Sequence, residues 1–214
     1  METKRNIPSL KLTRIDALTD GVFAIAMTLL ILEIRIPVTE LIHSEKDLWF
    51  QLAGLKHYLL SYFLSFLVLG IFWVAHNAQY SFIKGGDREL LWINIIYLMF
   101  ISFLPFSAAL LSNFTQFQAA IAVYWVNLFA IGMTLLLNWL YAKRNDYIPI
   151  LKENPGIHKI VIKRILIAQT FYATALIVSF INPIISLWIF LGIQLFYTIP
   201  TSFDKRLRSL WKTK

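Results

Sequence analysis

Long apolar runs separated by short charged clusters set the pattern of this chain. A helix needs roughly 20 apolar residues to cross a hydrocarbon core of about 30 Å. Six segments qualify: 15–36, 48–83, 90–111, 117–141, 160–181 and 184–199. Pro37 stops the first, and the opening turns of the second, with Lys56 and His57, are expected to stand proud of the bilayer. Asn182-Pro183 marks a tight turn between the last two. The pattern predicts an all-α polytopic membrane protein, one six-helix domain over 1–214. Trp49, Trp92, Trp139 and Tyr141 near the run ends read as interfacial anchors.

Composition points the same way, with 58% of residues apolar and only 15% charged, far from the mix of a soluble domain. The net charge of +8 follows from where Lys and Arg accumulate, not from a nucleic-acid partner. Four lie in the N-terminal stretch (Lys4, Arg5, Lys11, Arg14), two between 84 and 88, six between 143 and 164, and five from Lys205 onward. Arg35, Lys46 and Lys56 alone fall on the other side. This asymmetry predicts a multi-pass protein of the cell membrane with both termini cytoplasmic. The basic start resembles a leader peptide, yet the run ends in Glu33-Ile34-Arg35-Ile36-Pro37 without a small-residue cleavage site, so no cleavable leader is expected. Absence of cysteine excludes disulfides, thiolate metal sites and cysteine nucleophiles.

Polar groups within the runs are the candidate chemistry, because an ionisable residue in a span is costly to bury. Asp20 lies six residues past Arg14 and Asn94 six past Arg88, each about 9 Å deep at 1.5 Å per residue. His76 precedes Lys84 by eight residues, or about 12 Å. Similar depth on three consecutive helices predicts a cluster of Thr19, Asp20, His76 and Asn94, capped by Arg14, that clamps the helices together. A proton path would need further acidic groups deeper in the membrane.

Geometry separates that cluster from a second feature of the first run. Leu18, Gly21, Ile25, Leu29, Leu32 and Ile36 share one helix face with Thr28 on its flank, and Asp20 points more than about 90° away. Periodicity alone leaves this stripe open to lipid or core packing, with Gly21 allowing close helix approach. The scattered histidines have no metal-ligand spacing. No phosphate loop, nucleophile elbow, re-entrant potassium-filter motif or arginine-rich voltage sensor occurs. No catalytic constellation or cofactor site follows, so the chain is not read as an enzyme.

The motif Arg14-x-x-x-Leu18-Thr19-Asp20-Gly21-Val22-Phe23-Ala24-Ile25, continuing through Thr28-Leu29-Leu30, resembles the first-span signature of the transmembrane protein 175 family, the endolysosomal potassium channels and their prokaryotic relatives. Phe72-Trp73-x-x-His76, Leu91-Trp92-x-Asn94 and Leu104-Pro105-Phe106 extend the resemblance over the first half of the chain. The family's Phe-Ser-Asp is Leu18-Thr19-Asp20 here, which keeps the hydroxyl and loses a phenyl ring. The resemblance implies a homotetramer of six-helix subunits in the bilayer, with the first helix of each lining a central pore. It implies that Ile25, Thr28, Leu29 and Leu32 face the pore, and that Arg14, Thr19, Asp20 and His76, with Asn94 beside them, anchor that helix. Passive, potassium-preferring conduction of monovalent cations is then expected, with potassium the permeant species and no cofactor. A ring of Ile and Leu would close by dewetting, Thr28 hydroxyls would partly replace hydration water, and Glu33 would concentrate cations at the outer mouth. The alternative is a proton-coupled secondary transporter using Asp20 and His76.

Overall fold

The structure is a computed structural model, and it describes residues 12–35, 37 and 42–198. The basic N-terminal residues up to Lys11, Ile36 of the stripe and the basic tail from Lys205 lie outside the described residues. The described helices are α1 (Leu12–Leu29), α2 (Glu45–Gly54), α3 (Lys56–Tyr80), α4 (Arg88–Asn113), α5 (Gln118–Arg144), α6 (Ile150–Glu153), α7 (Gly156–Ser179) and α8 (Pro183–Thr198). Five are long and apolar enough to cross a membrane: α1 with its extension, α3, α4, α5 and α7. The described part of the sixth predicted span, α8, has 16 residues, about 24 Å of helix.

Two of the expected runs are reshaped. The second is not one helix: it divides at Leu55 into α2 and α3. Ser44 begins α2 by accepting the Asp47 N–H on its hydroxyl, an ordinary N-cap. No residue of α2 is buried, and Trp49 and Phe50 are exposed, as suits a helix lying at an interface. The first run leaves α-helical geometry at Leu30, tightens into a 3₁₀ turn over Leu30–Glu33, and turns extended at Ile34. Just before that change the Thr28 hydroxyl bonds the Ala24 and Ile25 carbonyls, a back-bond that loosens the ladder locally.

Packing places α4 against α1, α3 and α5, while α5 meets α7, α7 meets α8, and α8 returns to α3. The five helices α3, α4, α5, α7 and α8 therefore close a ring, with α1 laid along α3 and α4. More than half of the apolar stretch of α5 is buried, the largest share of any span. Two apolar clusters fill the interior. One holds Phe23, Phe72, Tyr97 and Leu98; the other holds Ile15, Tyr80, Leu90 and Trp139. On α1, α3 and α4 alike, the two clusters are separated by about one turn each side of Thr19, His76 and Asn94. A polar layer thus lies between two dry ones.

Trp139 corrects an expectation. It is fully buried, not interfacial, and its indole N–H donates to His158 Nδ1 at 3.1 Å. α5 extends past the end of α3, so a position near the end of its run still has neighbours on every side. Tyr141 is likewise engaged, through Asp87.

Candidate functional site

Three of the predicted polar residues meet as expected. Thr19, His76 and Asn94 are each completely buried. The Asn94 amide N–H donates to Thr19 Oγ at 3.2 Å, which turns its carbonyl toward His76 Nε2 at 2.8 Å. Since that oxygen only accepts, His76 must carry its proton on Nε2 in this pair. The imidazole is also stacked between Tyr80 and Tyr97, with ring centroids 4.1 and 5.2 Å away. Both tyrosines are pinned by their hydroxyls, Tyr80 to Asn138 Oδ1 at 3.3 Å and Tyr97 to the Phe72 carbonyl at 3.2 Å. The histidine is therefore held by a hydrogen bond at its edge and by rings on both faces. Among the described residues its Nδ1 has no partner.

Asp20 and Arg14 stand elsewhere. Asp20 is exposed and is joined to α3 through the Trp73 indole N–H, which donates at 2.8 Å. It does not bond His76, Asn94 or Thr19. Arg14 does not cap the cluster: it is exposed and has no ion pair among the described residues. The reason is rotation, because six residues of helix turn Arg14 about 120° from Asp20, onto the side of Leu18 and Ile25.

Sequence reading passed over several participants. Tyr80 lies one turn below His76, a spacing visible in the sequence. Asp16 lies one turn before Asp20 on the same side, and its Oδ1 is buried without a partner among the described residues; an i, i+4 carboxylate pair in an apolar run was the available signal. Asp87 had none, since its partners are remote in sequence. It caps α4 through the Leu90 N–H at 2.9 Å and accepts the hydroxyls of Tyr141 at 2.6 Å and Tyr147 at 2.9 Å. Burial alone would push this carboxyl up, but the two phenols and the backbone N–H outweigh it and hold it below the usual carboxylate value. Burial and the same carboxylate push the Tyr147 hydroxyl up to about 12. With the Lys84 N–H donating to the Tyr147 carbonyl at 2.8 Å, this pair latches the α3–α4 loop to the end of α5.

The stripe on α1 is left bare by the rest of the described chain. Leu18 is 47% exposed, Ile25 61%, Leu29 42% and Leu32 69%, whereas Ile15, Thr19, Phe23, Ala26 and Leu30 on the other side are buried. Space is open above Gly21 as well. Thr28 adds a polar point beside the stripe: its proton goes to backbone carbonyls, so the exposed hydroxyl presents lone pairs outward. Glu33 is exposed at the far end of the 3₁₀ turn. Among the described residues, no group of three His, Cys, Asp or Glu side chains is placed to hold a metal ion.

This arrangement has relatives. Residues 14–105, which carry α1, the polar layer and the bare stripe, match the family model TMEM175, the endosomal/lysosomal potassium channel TMEM175. A potassium channel of Chamaesiphon minutus is 31% identical over 185 residues, covering 84% of this chain and 88% of the relative. The chain belongs to the TMEM175 family. A potassium channel of Streptomyces collinus is 33% identical over 139 residues, which span 63% of this chain and 66% of that relative. The crystal structure of a lysosomal potassium-selective channel TMEM175 homolog from Chamaesiphon minutus superposes with a TM-score of 0.76 at 28% identity, covering 87% of this chain and 95% of the other. The TMEM175 match ends near Pro105, so α5, α7 and α8 lie beyond the region that the family model covers.

Proposed function

We propose that this chain is the subunit of a potassium-preferring cation channel in the cell membrane, with both termini cytoplasmic and four copies surrounding a pore lined by α1. The observation that carries the reading is the division of α1 into a buried face and a bare apolar stripe, in a TMEM175 family member. The Thr19–Asn94–His76 layer fixes the rotation of α1, so the stripe of Ile25, Leu29 and Leu32 is presented in one direction. Four such stripes around an axis form a narrow apolar ring that excludes water and stops conduction until it widens. Thr28 offers oxygen atoms in place of part of an ion's hydration shell. Weak coordination favours potassium over sodium modestly, because potassium gives up water more easily. Glu33 at the outer mouth raises the local cation concentration. Nothing in this sequence of events requires a chemical step or a cofactor.

Purified protein in liposomes tests it. Potassium flux that carries current and needs no coupled ion is expected, and Ile25→Asn or Leu29→Asn raises conductance by wetting the ring. Unchanged conduction and ion preference in both variants would move the pore away from α1. Saturable flux that requires a pH gradient would replace the channel with a proton-coupled transporter using Asp20 and His76. The size of the assembly in detergent checks the tetramer.

A further inference from the structure

The seam between α5 and the start of α7 holds a hydrogen bond whose acceptor can be titrated. Trp139 of α5 has no exposed surface, and its indole N–H donates to His158 Nδ1 at 3.1 Å. An imidazole nitrogen accepts only through its lone pair, so His158 is neutral in this pair and carries its proton on Nε2. His158 itself is half-buried, in the first turn of α7. The two partners are therefore unequal: protons reach the histidine from solvent, while water does not reach the tryptophan.

Protonation turns the acceptor into a donor, since both nitrogens of an imidazolium carry hydrogen. Two N–H groups then face each other and the bond is lost. His158 can swing out to water, but the Trp139 N–H stays buried without a partner. The loss falls on a packed junction. The Trp139 indole meets the Phe82 ring edge-on with centroids 6.4 Å apart, and it shares an apolar cluster with Ile157 and Val161, on either side of His158 in sequence. The surroundings do not welcome the added charge. Lys143 of α5 is close enough for its charge to act on the imidazole, and Lys159 of α7 is exposed next to it in sequence. α6 brings Lys152, paired with Asp146 at 3.9 Å, and the exposed Glu153. α8 brings Tyr197, whose hydroxyl donates to the Arg164 carbonyl further along α7. Among the described residues His158 has no ion pair, and the positive end of a helix dipole disfavours a cation in its first turn.

We propose that Trp139 and His158 form a proton-sensitive latch that closes the first turn of α7 onto α5 at neutral pH and releases it when the side bearing the basic loops is acidified. An unfolded histidine titrates near pH 6.5, and below that value the unfolded chain takes up a proton that the latched state refuses. The stabilisation is therefore complete above about pH 6.5 and is lost as pH falls below it. The latch is independent of the pore reading, because it joins α5 to α7, beyond the 14–105 region of the family match, and makes no use of α1.

The test is melting of the full chain in detergent at about pH 7.5 and about pH 5.5, on either side of the ordinary histidine value. The comparison is with His158→Gln, whose amide oxygen accepts the indole N–H and does not titrate. The two proteins are expected to melt together at the higher pH, and wild type about 2–4 °C below the variant at the lower. His43, His57 and His76 titrate in both proteins and cancel in the difference. In a Trp139→Phe background, which lacks the buried donor, His158→Gln is expected to give no acid-dependent difference. Nuclear magnetic resonance of the 15N-labelled indoles supplies a local readout. The Trp139 signal, identified by its absence from Trp139→Phe, moves between the two pH values in wild type and stays in place in His158→Gln. A wild-type Trp139 signal that ignores pH would overturn the proposal. So would an acid response that His158→Gln leaves unchanged, or one that persists in full without the Trp139 donor.

Discussion

Replacing Asn94 by Leu should cost the folded protein far more than any change at Asp20. Asn94 joins α4 to α1 through Thr19 and to α3 through His76, and all three groups are completely buried. The variant leaves the His76 Nε2–H without an acceptor and the Thr19 hydroxyl without a donor. Each orphaned buried group costs about 1–3 kcal/mol. Hydrogen bonds between membrane helices average nearer 0.6 kcal/mol, because the separated helices find other partners. Neither Thr19 nor His76 can turn to water here, so a total of about 3 kcal/mol is expected. At this chain length that corresponds to a melting temperature lower by roughly 6–12 °C. Asp20→Asn keeps an acceptor for the exposed Trp73 indole N–H and removes only the charge, so its effect stays below about 1 kcal/mol.

The assay is thermal loss of the monodisperse assembly in detergent, followed by size exclusion after stepwise heating. Thr19→Val, which removes one of the two bonds, falls between wild type and Asn94→Leu. The double variant Thr19→Val with Asn94→Leu melts little below Asn94→Leu alone, since both act on one network. Equal losses for Asp20→Asn and Asn94→Leu would refute this division between a buried clamp and an exposed tether. So would strict additivity in the double variant.

Gly132→Ala should destabilise by about 1–3 kcal/mol, because a methyl group there collides with the buried Gln169 amide; Gly132→Ala combined with Gln169→Ala should recover part of the loss in the same melting assay. The Asp87 latch predicts a defined pH response. Its carboxyl is held below the ordinary value, so its stabilisation is complete above the unfolded value of about 3.9. That stabilisation is lost as pH falls through the lower folded value. Asp87→Asn should flatten this acid limb of the stability curve and lower stability at neutral pH. An unaltered acid limb would show that Asp87 is not the titrating group. At the other end, Tyr147 held at about 12 keeps its contribution below the ordinary tyrosine range and loses it as pH rises through 12. Tyr147→Phe should remove that alkaline loss, read by the same measurement.

How much was legible from the chain alone differs residue by residue. The long apolar runs announced the spans, because a helix that crosses lipid must satisfy its own backbone and expose apolar side chains along its whole length. Similar depth made Thr19, His76 and Asn94 a group, since helices that share a membrane share its coordinate. The angle on α1 separated Asp20 from the Ile25–Leu29 stripe, and that geometry is intrinsic to 3.6 residues per turn. What composition does not encode is which flank of a helix meets which neighbour. Lipid tails are as apolar as Leu, so an apolar side chain is equally at home against either. Only the tertiary structure decided that Trp139 is core, that Asp20 bonds Trp73 in place of the histidine, and that Tyr80 and Tyr97 enclose the imidazole. It also decided that the α1 stripe is bare. Each of those outcomes depends on helix rotation and side-by-side order, which packing specifies and an apolar pattern leaves free.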